Sequence, residues 1–189
     1  MILGLTGSIG MGKSTTAAMF REAGVPVWDA DAAVHRMYGP NGAAVAPIAA
    51  AFPGTVRDGA VDRDALRTVV TREPDALDRL NAIVHPLVAE DRAVFLVKHP
   101  RRLVVLDVPL LFETGGERYC DKVAVVTTDA ATQAERVLGR GTMTEAEFRA
   151  ILARQVPDAE KRRRADYIIE TSTLRTARDR VAEIIAELS

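Results

Sequence analysis

The feature that most limits what this chain can fold into lies at its start. Ile2 to Leu5 form a short apolar run, and Gly7-Ser-Ile-Gly-Met-Gly-Lys-Ser14 follows almost at once. That stretch spells G-x-x-x-x-G-K-S, and Thr15 to Ala23 continue as a helical pattern. A buried strand, a glycine-rich turn and a helix, in this order, set the turn at the carboxyl end of a strand in an α/β sheet. Gly7, Gly10 and Gly12 allow the backbone to turn with its N–H groups inward, a nest that a phosphate oxygen can enter. Lys13 puts a point charge at the β- and γ-phosphates, and Ser14 offers a hydroxyl to Mg²⁺. The helix that starts near Lys13 aims the positive end of its dipole at the same anion. The stretch therefore reads as a nucleoside triphosphate site.

Composition narrows the class. At 189 residues, 48% apolar and 27% charged, the chain fits one soluble α/β domain with insertions. A net charge of −1 gives no global electrostatic support for nucleic acid, so no such partner is expected. Most basic residues are arginine, the side chain that grips phosphate bidentately. Cys120 stands alone, which excludes an intramolecular disulfide or a cysteine zinc site. The N-terminus lacks a basic region followed by an apolar core, and no apolar run reaches membrane-spanning length. A cytoplasmic location without a membrane partner is the expectation.

Further along, Val25-Pro-Val-Trp28 reads as a second strand, with Asp29-Ala-Asp31 at its carboxyl end. On an extended chain, residues two apart share a face, so both carboxylates could project toward the phosphate site. They suit a base for an acceptor hydroxyl or an outer ligand of Mg²⁺; the alternative is that one of them only caps the next helix. Residues 32–100 read as nearly all helix, a strandless insertion in which His85-Pro86 starts a helix. His85 is either a ligand-facing residue or a helix-start histidine without a role. Leu103 to Val108 is a third strand, apolar except for Asp107, placed where an aspartate would bind Mg²⁺ directly or through water. Pro109-Leu-Leu-Phe-Glu113 follows, either as an apolar wall for a substrate tail with Glu113 near phosphate or sugar, or as core packing.

Lys122 to Thr127 and Asp166 to Ile169 read as the fourth and fifth strands. Between them, Arg136 and Arg140 share a helix face, Gly139 to Met143 is a hinge-like break, and Thr144-Glu-Ala-Glu147 is a capping box. The basic residues Arg140, Arg154, Lys161, Arg162, Arg163 and Arg164 form a cluster of the kind found on kinase lids that close over ATP. Leu174, Val181, Ile184, Ile185 and Leu188 lie on one side of a last amphipathic helix. No N-K-x-D stretch is present to read guanine, and Asp107 is followed by Val108, not by the second acid of a helicase-type ATPase. A small-molecule kinase remains, with a nucleoside monophosphate or other metabolite kinase and a nucleotide-binding switch as rivals.

The combination resembles the dephospho-coenzyme A kinase family along nearly the whole chain. The matching stretches are Gly4 to Thr15, Asp29-Ala-Asp31, Leu80-Asn-Ala-Ile-Val-His-Pro86, Val108-Pro-Leu-Leu-Phe-Glu113, Gln133 with Arg136 and Arg140, Gln155, and Ala165-Asp-Tyr-Ile-Ile169. The resemblance implies an α/β P-loop kinase of three layers (α/β/α) around a five-stranded parallel sheet. Its nucleotide-binding core would be residues 1–31, 101–135 and 165–189, its helical acceptor-binding insertion 32–100 and its lid 136–164. It implies ATP-dependent phosphorylation of the ribose 3′-hydroxyl of dephospho-coenzyme A, with Mg²⁺, by a monomer or weak homo-oligomer. Gly7, Gly10, Met11, Gly12, Lys13, Ser14, Thr15, Arg136 and Arg140 would hold ATP, and Ser14 and Asp107 the metal. Asp31, Lys13 and Arg140 would be catalytic. Asp29, Asp31, His85, Pro109, Leu110, Leu111 and Glu113 would meet the acceptor. One departure stands out: Glu170-Thr-Ser-Thr173 replaces the asparagine and glycine-containing turn usual after the last strand.

Overall fold

A computed structural model describes all of residues 1–189. In chain order, β1 (Ile2–Thr6), α1 (Lys13–Glu22) and β2 (Val27–Asp29) come first. Then follow α2 (Ala30–Tyr38), α3 (Val45–Ala51), β3 (Val56–Arg57), β4 (Ala60–Val61), α4 (Arg63–Arg72) and α5 (Ala76–Lys98). The remainder is β5 (Val104–Asp107), a 3₁₀ turn over Gly116–Tyr119, β6 (Lys122–Thr127), α6 (Ala130–Leu138), α7 (Glu145–Arg154), α8 (Asp158–Arg164), β7 (Tyr167–Glu170) and α9 (Leu174–Leu188). The chain forms two compact units, one of residues 1–28 with 99–189 and one of residues 29–98.

The first unit is built on a five-stranded parallel sheet in the order β2-β5-β1-β6-β7. Its middle strand, β1, feeds the glycine turn. Every residue of β5 is buried, as an interior strand covered on both faces requires. Alternation along β6 serves two cores. Ala124 and Val126 pack with Leu3, Leu5, Phe20 and Ile184 on one face, while Val123 and Val125 pack with Leu111 and Phe112 on the other. Helices α1 and α9 lie together on the first face, and α8 lies against β6 on the other with Val156 and Ala165 at its ends, giving the layered α/β/α arrangement. Phe20 is fully buried there, and burial of such a side chain stabilises the fold by roughly 1.5–3 kcal/mol.

In α9, Val181 and Ile184 face the core as the periodicity predicts, but Leu174 does not. It is the first helical residue and is 68% exposed. No helix is long and apolar enough to cross a membrane.

The second unit packs α2, α3 and α4 on the long helix α5 around Ala33, Met37, Ile48, Phe52, Leu66 and Val84. Arg36 Nη2 meets Asp91 Oδ2 at 2.9 Å and ties α2 to α5. Two expectations fail here. The segment is not strandless, because β3 and β4 form an antiparallel hairpin. Asp58 (φ 50°) and Gly59 (φ 73°) both turn left-handed, the geometry of a two-residue hairpin whose twist matches its strands. Nor does His85-Pro86 start a helix: α5 runs unbroken through Pro86. The proline ring leaves the carbonyl four residues back without its amide partner, a loss that the long packed helix tolerates.

Asp29 and Asp31 also differ from the extended pair read in the sequence. Asp29 closes β2 and caps α2, accepting from the Ala32 N–H at 2.9 Å, while Asp31 already lies in the first turn of that helix. The side-by-side logic of a strand does not apply to them.

Candidate active site: a glycine nest, a lysine–aspartate pair and a cleft

Between β1 and α1 the backbone is shaped by what surrounds it. Gly12 is the N-cap of α1 with φ 89°, a left-handed conformation, and no side chain caps the helix behind it. The first N–H groups of α1 are thus left for an external acceptor, the situation in which helix N-termini bind anions. Gly7 is required for a different reason: a Cβ there would lie 2.3 Å from Val126 Cγ2. Ser14 and Thr15 are exposed at the start of α1. The Met11 side chain is buried, with its sulfur 3.2 Å from the Thr128 N–H, so Met11 can meet a ligand only through its backbone.

Lys13 Nζ lies 2.6 Å from Asp107 Oδ1, with the two side chains 15% and 3% exposed. The register of β1 with β5 explains this, since Leu5 stands opposite Asp107 and the turn carries Lys13 back over the end of β5. A buried carboxylate in an apolar strand needs such a partner. No three His, Cys, Asp or Glu side chains converge as a ready-made metal cage. One buried carboxylate and one exposed Ser14 hydroxyl instead match Mg²⁺, which keeps several waters and takes much of its coordination from substrate phosphates.

Beside the nest is a cavity of about 270 Å³, lined by Gly10, Gly12, Thr15, Arg136, Arg140 and Leu174 among others. The exposed Leu174 thus supplies an apolar surface to this cleft. Arg136 is fixed: it donates to Thr171 Oγ1 at 3.0 Å and to the Thr171 carbonyl at 2.5 Å. Thr171 itself stands in the segment that departs from the family pattern. Sequence reasoning flagged the departure but gave Thr171 no function. It also gave none to Gln133 and Gln155, which hold the Ile9 carbonyl at 2.7 Å and the Ile9 N–H at 3.2 Å. Amide side chains carry no charge or spacing signal that would expose such a task.

The segment after β5 is mostly structural. Leu111 and Phe112 are buried in the core, whereas Leu110 is 43% exposed. The Pro109 carbonyl accepts from the Thr6 hydroxyl at 3.1 Å. Glu113 accepts from the Val156 N–H at 2.9 Å and pairs with Lys161 at 2.8 Å. Burial pushes the Glu113 carboxyl up, but its hydrogen bonds from Lys161 and Val156 outweigh that and leave it below the usual carboxylate range.

Lys161, read as part of a basic lid face, is fully buried. Its neighbours are also engaged: Arg162 with Asp158, Arg163 with Glu160, and Arg164 with Glu117 and the Phe112 ring. Arg140 lines the cleft, and Arg154 is exposed at the end of α7. The Thr144–Glu147 capping box forms at the start of α7.

The remaining site residues of the sequence reading belong to the second unit. Asp31 is exposed in the first turn of α2, and His85 is exposed midway along α5.

Comparison with known proteins agrees with this architecture. Residues 1–176 match the family described as dephospho-CoA kinase. The chain is 60% identical to the dephospho-CoA kinase of Cereibacter sphaeroides over 186 residues, 98% of this chain and 94% of that one. Among solved structures, a Thermus thermophilus protein superposes with a TM-score of 0.88 at 35% identity, covering 100% of this chain and 98% of its own. The dephospho-CoA kinase of Campylobacter jejuni, at 22% identity and TM-score 0.68, covers 100% of this chain and 97% of its own and shares the fold. With the family match spanning the glycine nest, Asp31, Asp107 and the two arginines of the cleft, this chain belongs to the dephospho-CoA kinase family.

Proposed function

We propose that the protein transfers the γ-phosphoryl group of ATP to the ribose 3′-hydroxyl of dephospho-coenzyme A, yielding coenzyme A and ADP. The observation that carries this reading is the Lys13–Asp107 pair at the mouth of the glycine nest, beside a cleft walled by Leu174 and two arginines, in a chain of this family. The first N–H groups of α1 and the Lys13 ammonium hold the phosphates, and Leu174 offers an apolar face to the base. Arg140 meets the phosphates from the far side of the cleft.

Asp31 takes the proton of the 3′-hydroxyl. The oxygen forms its bond to the γ-phosphorus, and the bond from that phosphorus to the bridging oxygen breaks, its electron pair leaving with ADP. Such transfer asks mainly for alignment and charge stabilisation, so one carboxylate base is sufficient equipment. Ser14 and Asp107 are the side chains suited to Mg²⁺, which would neutralise charge on the β- and γ-phosphates. Asp29 and His85, with Pro109 and the exposed Leu110, are assigned to the acceptor. Leu111 is packed in the core of the first unit, and Glu113 is held there by Lys161 and the Val156 N–H.

The test is coupled ADP release with ATP, Mg²⁺ and dephospho-coenzyme A, with AMP as a parallel acceptor. Turnover dependent on dephospho-coenzyme A supports the proposal. Faster turnover with AMP, or none with either acceptor, rejects it.

A further inference from the structure

The phosphate loop is held from outside at two of its carbonyls, and each belongs to the residue just before a left-handed glycine. The Ile9 carbonyl accepts from Gln133 Nε2 at 2.7 Å, and the Met11 carbonyl accepts from the Thr171 hydroxyl at 2.8 Å. Gly10 and Gly12 follow, with φ of 79° and 89°. No peptide bond in the chain is cis. In a trans peptide the C=O and the next N–H point in opposite directions. Fixing the Ile9 and Met11 carbonyls outward therefore turns the Gly10 and Gly12 N–H groups the other way, toward the concave side of the loop.

A glycine with free access to both signs of φ does not fix this orientation by itself. If either peptide flipped, an oxygen would face the nest and repel a phosphate. We infer that Gln133 and Thr171 are positioning residues for the phosphate donor: they act as two outside pins that preorganise the anion nest through the Ile9–Gly10 and Met11–Gly12 peptide planes.

The surroundings fit this role. Both side chains are buried, Gln133 at 5% and Thr171 at 7% exposure, so water does not compete for the bonds. Thr171 is itself fixed, since its N–H donates to the Thr127 carbonyl at 2.9 Å and its hydroxyl accepts from Arg136 at 3.0 Å. The shorter of two acceptors, Met11 at 2.8 Å against Thr127 at 3.2 Å, takes its single proton. A Cβ on Gly12 would stand 3.0 Å from the Thr171 hydroxyl, so the pin and the glycine are in direct contact. On the other side of Ile9, Gln155 holds the N–H at 3.2 Å, so that residue is gripped at both ends. The one hydroxyl of Thr171 serves the loop while its backbone carbonyl seats Arg136.

This inference rests on the phosphate-donor site of the proposed function, and its test separates the two. ADP affinity is measured by calorimetry for wild type, Thr171→Val, Thr171→Ser and Gln133→Met, with far-UV circular dichroism as the check on folding. The KM for ATP and for dephospho-coenzyme A follow by the coupled assay. Each lost pin removes one buried hydrogen bond that orients the nest, so Thr171→Val and Gln133→Met should each weaken ADP and raise the KM for ATP by about tenfold. The KM for dephospho-coenzyme A should stay near wild type, and Thr171→Ser, which keeps the hydroxyl, should retain most of the affinity.

Wild-type ADP affinity in Thr171→Val overturns the inference, as does an equal loss in Thr171→Ser. Should Thr171→Val fail to fold, Gln133→Met decides by the same criterion. If wild type binds ADP but phosphorylates no acceptor, the proposed function falls while the binding series still judges the pins.

Discussion

Lys161, whose side chain is fully shielded from solvent, holds its ammonium 2.8 Å from Glu113 Oε1. The pair joins α8 to the segment that follows β5, and the Val156 N–H completes the junction at 2.9 Å. In isolation the two residues suggested a charge on a lid and a contact to substrate; in the fold they meet each other. The part of the basic stretch that follows Gln155 is anchored to the body of the first unit.

Breaking this pair from one side should cost more than removing it whole. Lys161→Met leaves the Glu113 carboxylate, 12% exposed, without its counter-charge, a loss on the order of 3–5 kcal/mol. The double variant Lys161→Met with Glu113→Leu should recover most of that stability. Urea unfolding of the single and double variants measures the difference; equal destabilisation in both would show that the pair is not coupled.

Acid should loosen the same junction. The Glu113 carboxyl is held below its ordinary value in the folded chain, because its hydrogen bonds outweigh the upward push of burial. A group depressed by folding contributes stability above its unfolded pKa, and that contribution is lost as pH falls through the folded value. Wild type should therefore lose stability below about pH 4.5, near the carboxylate reference range, and Glu113→Gln should show a shallower decline. Tm measured from pH 6 down to roughly pH 3 checks this, and parallel curves for the two proteins would reject it.

For the transfer step, Asp31→Asn keeps the shape and removes the base. Turnover with dephospho-coenzyme A should fall by about 10²–10⁴, while ADP affinity stays near wild type. Stopped assays of kcat alongside ADP titration separate these quantities. Unchanged turnover would make Asp31 a first-turn helix residue and no more.

Gly12→Ala tests the nest from within. At φ 89°, with the Thr171 hydroxyl 3.0 Å from the new Cβ, alanine cannot settle without moving the loop. Left-handed backbone at a non-glycine residue costs on the order of 1–2 kcal/mol before any clash. ADP binding should weaken by at least about tenfold in the calorimeter, the equivalent of that strain, with little change in secondary structure by circular dichroism.

What the sequence determined by itself is local and periodic. Gly7 to Ser14 announce a strand-turn-helix for phosphate because glycine spacing, a lysine and a hydroxyl are chemically explicit. The five apolar runs became the five strands of the parallel sheet, and Thr144 became a helix cap, because these signals act within a few residues. The hairpin closed by Asp58-Gly59 escaped that reading, because it depends on pairing across the turn.

Tertiary structure decided which charges were available for chemistry. Lys161 and Arg164 look alike as letters, but one is sealed against Glu113 and the other stacks on Phe112, since burial and partner choice depend on residues about fifty positions away. The same holds for Gln133 and Thr171, whose partners in the loop are 124 and 160 residues distant. A hydrogen bond between such distant groups leaves no period or motif in the chain, so only the folded backbone brings these two pins to the loop.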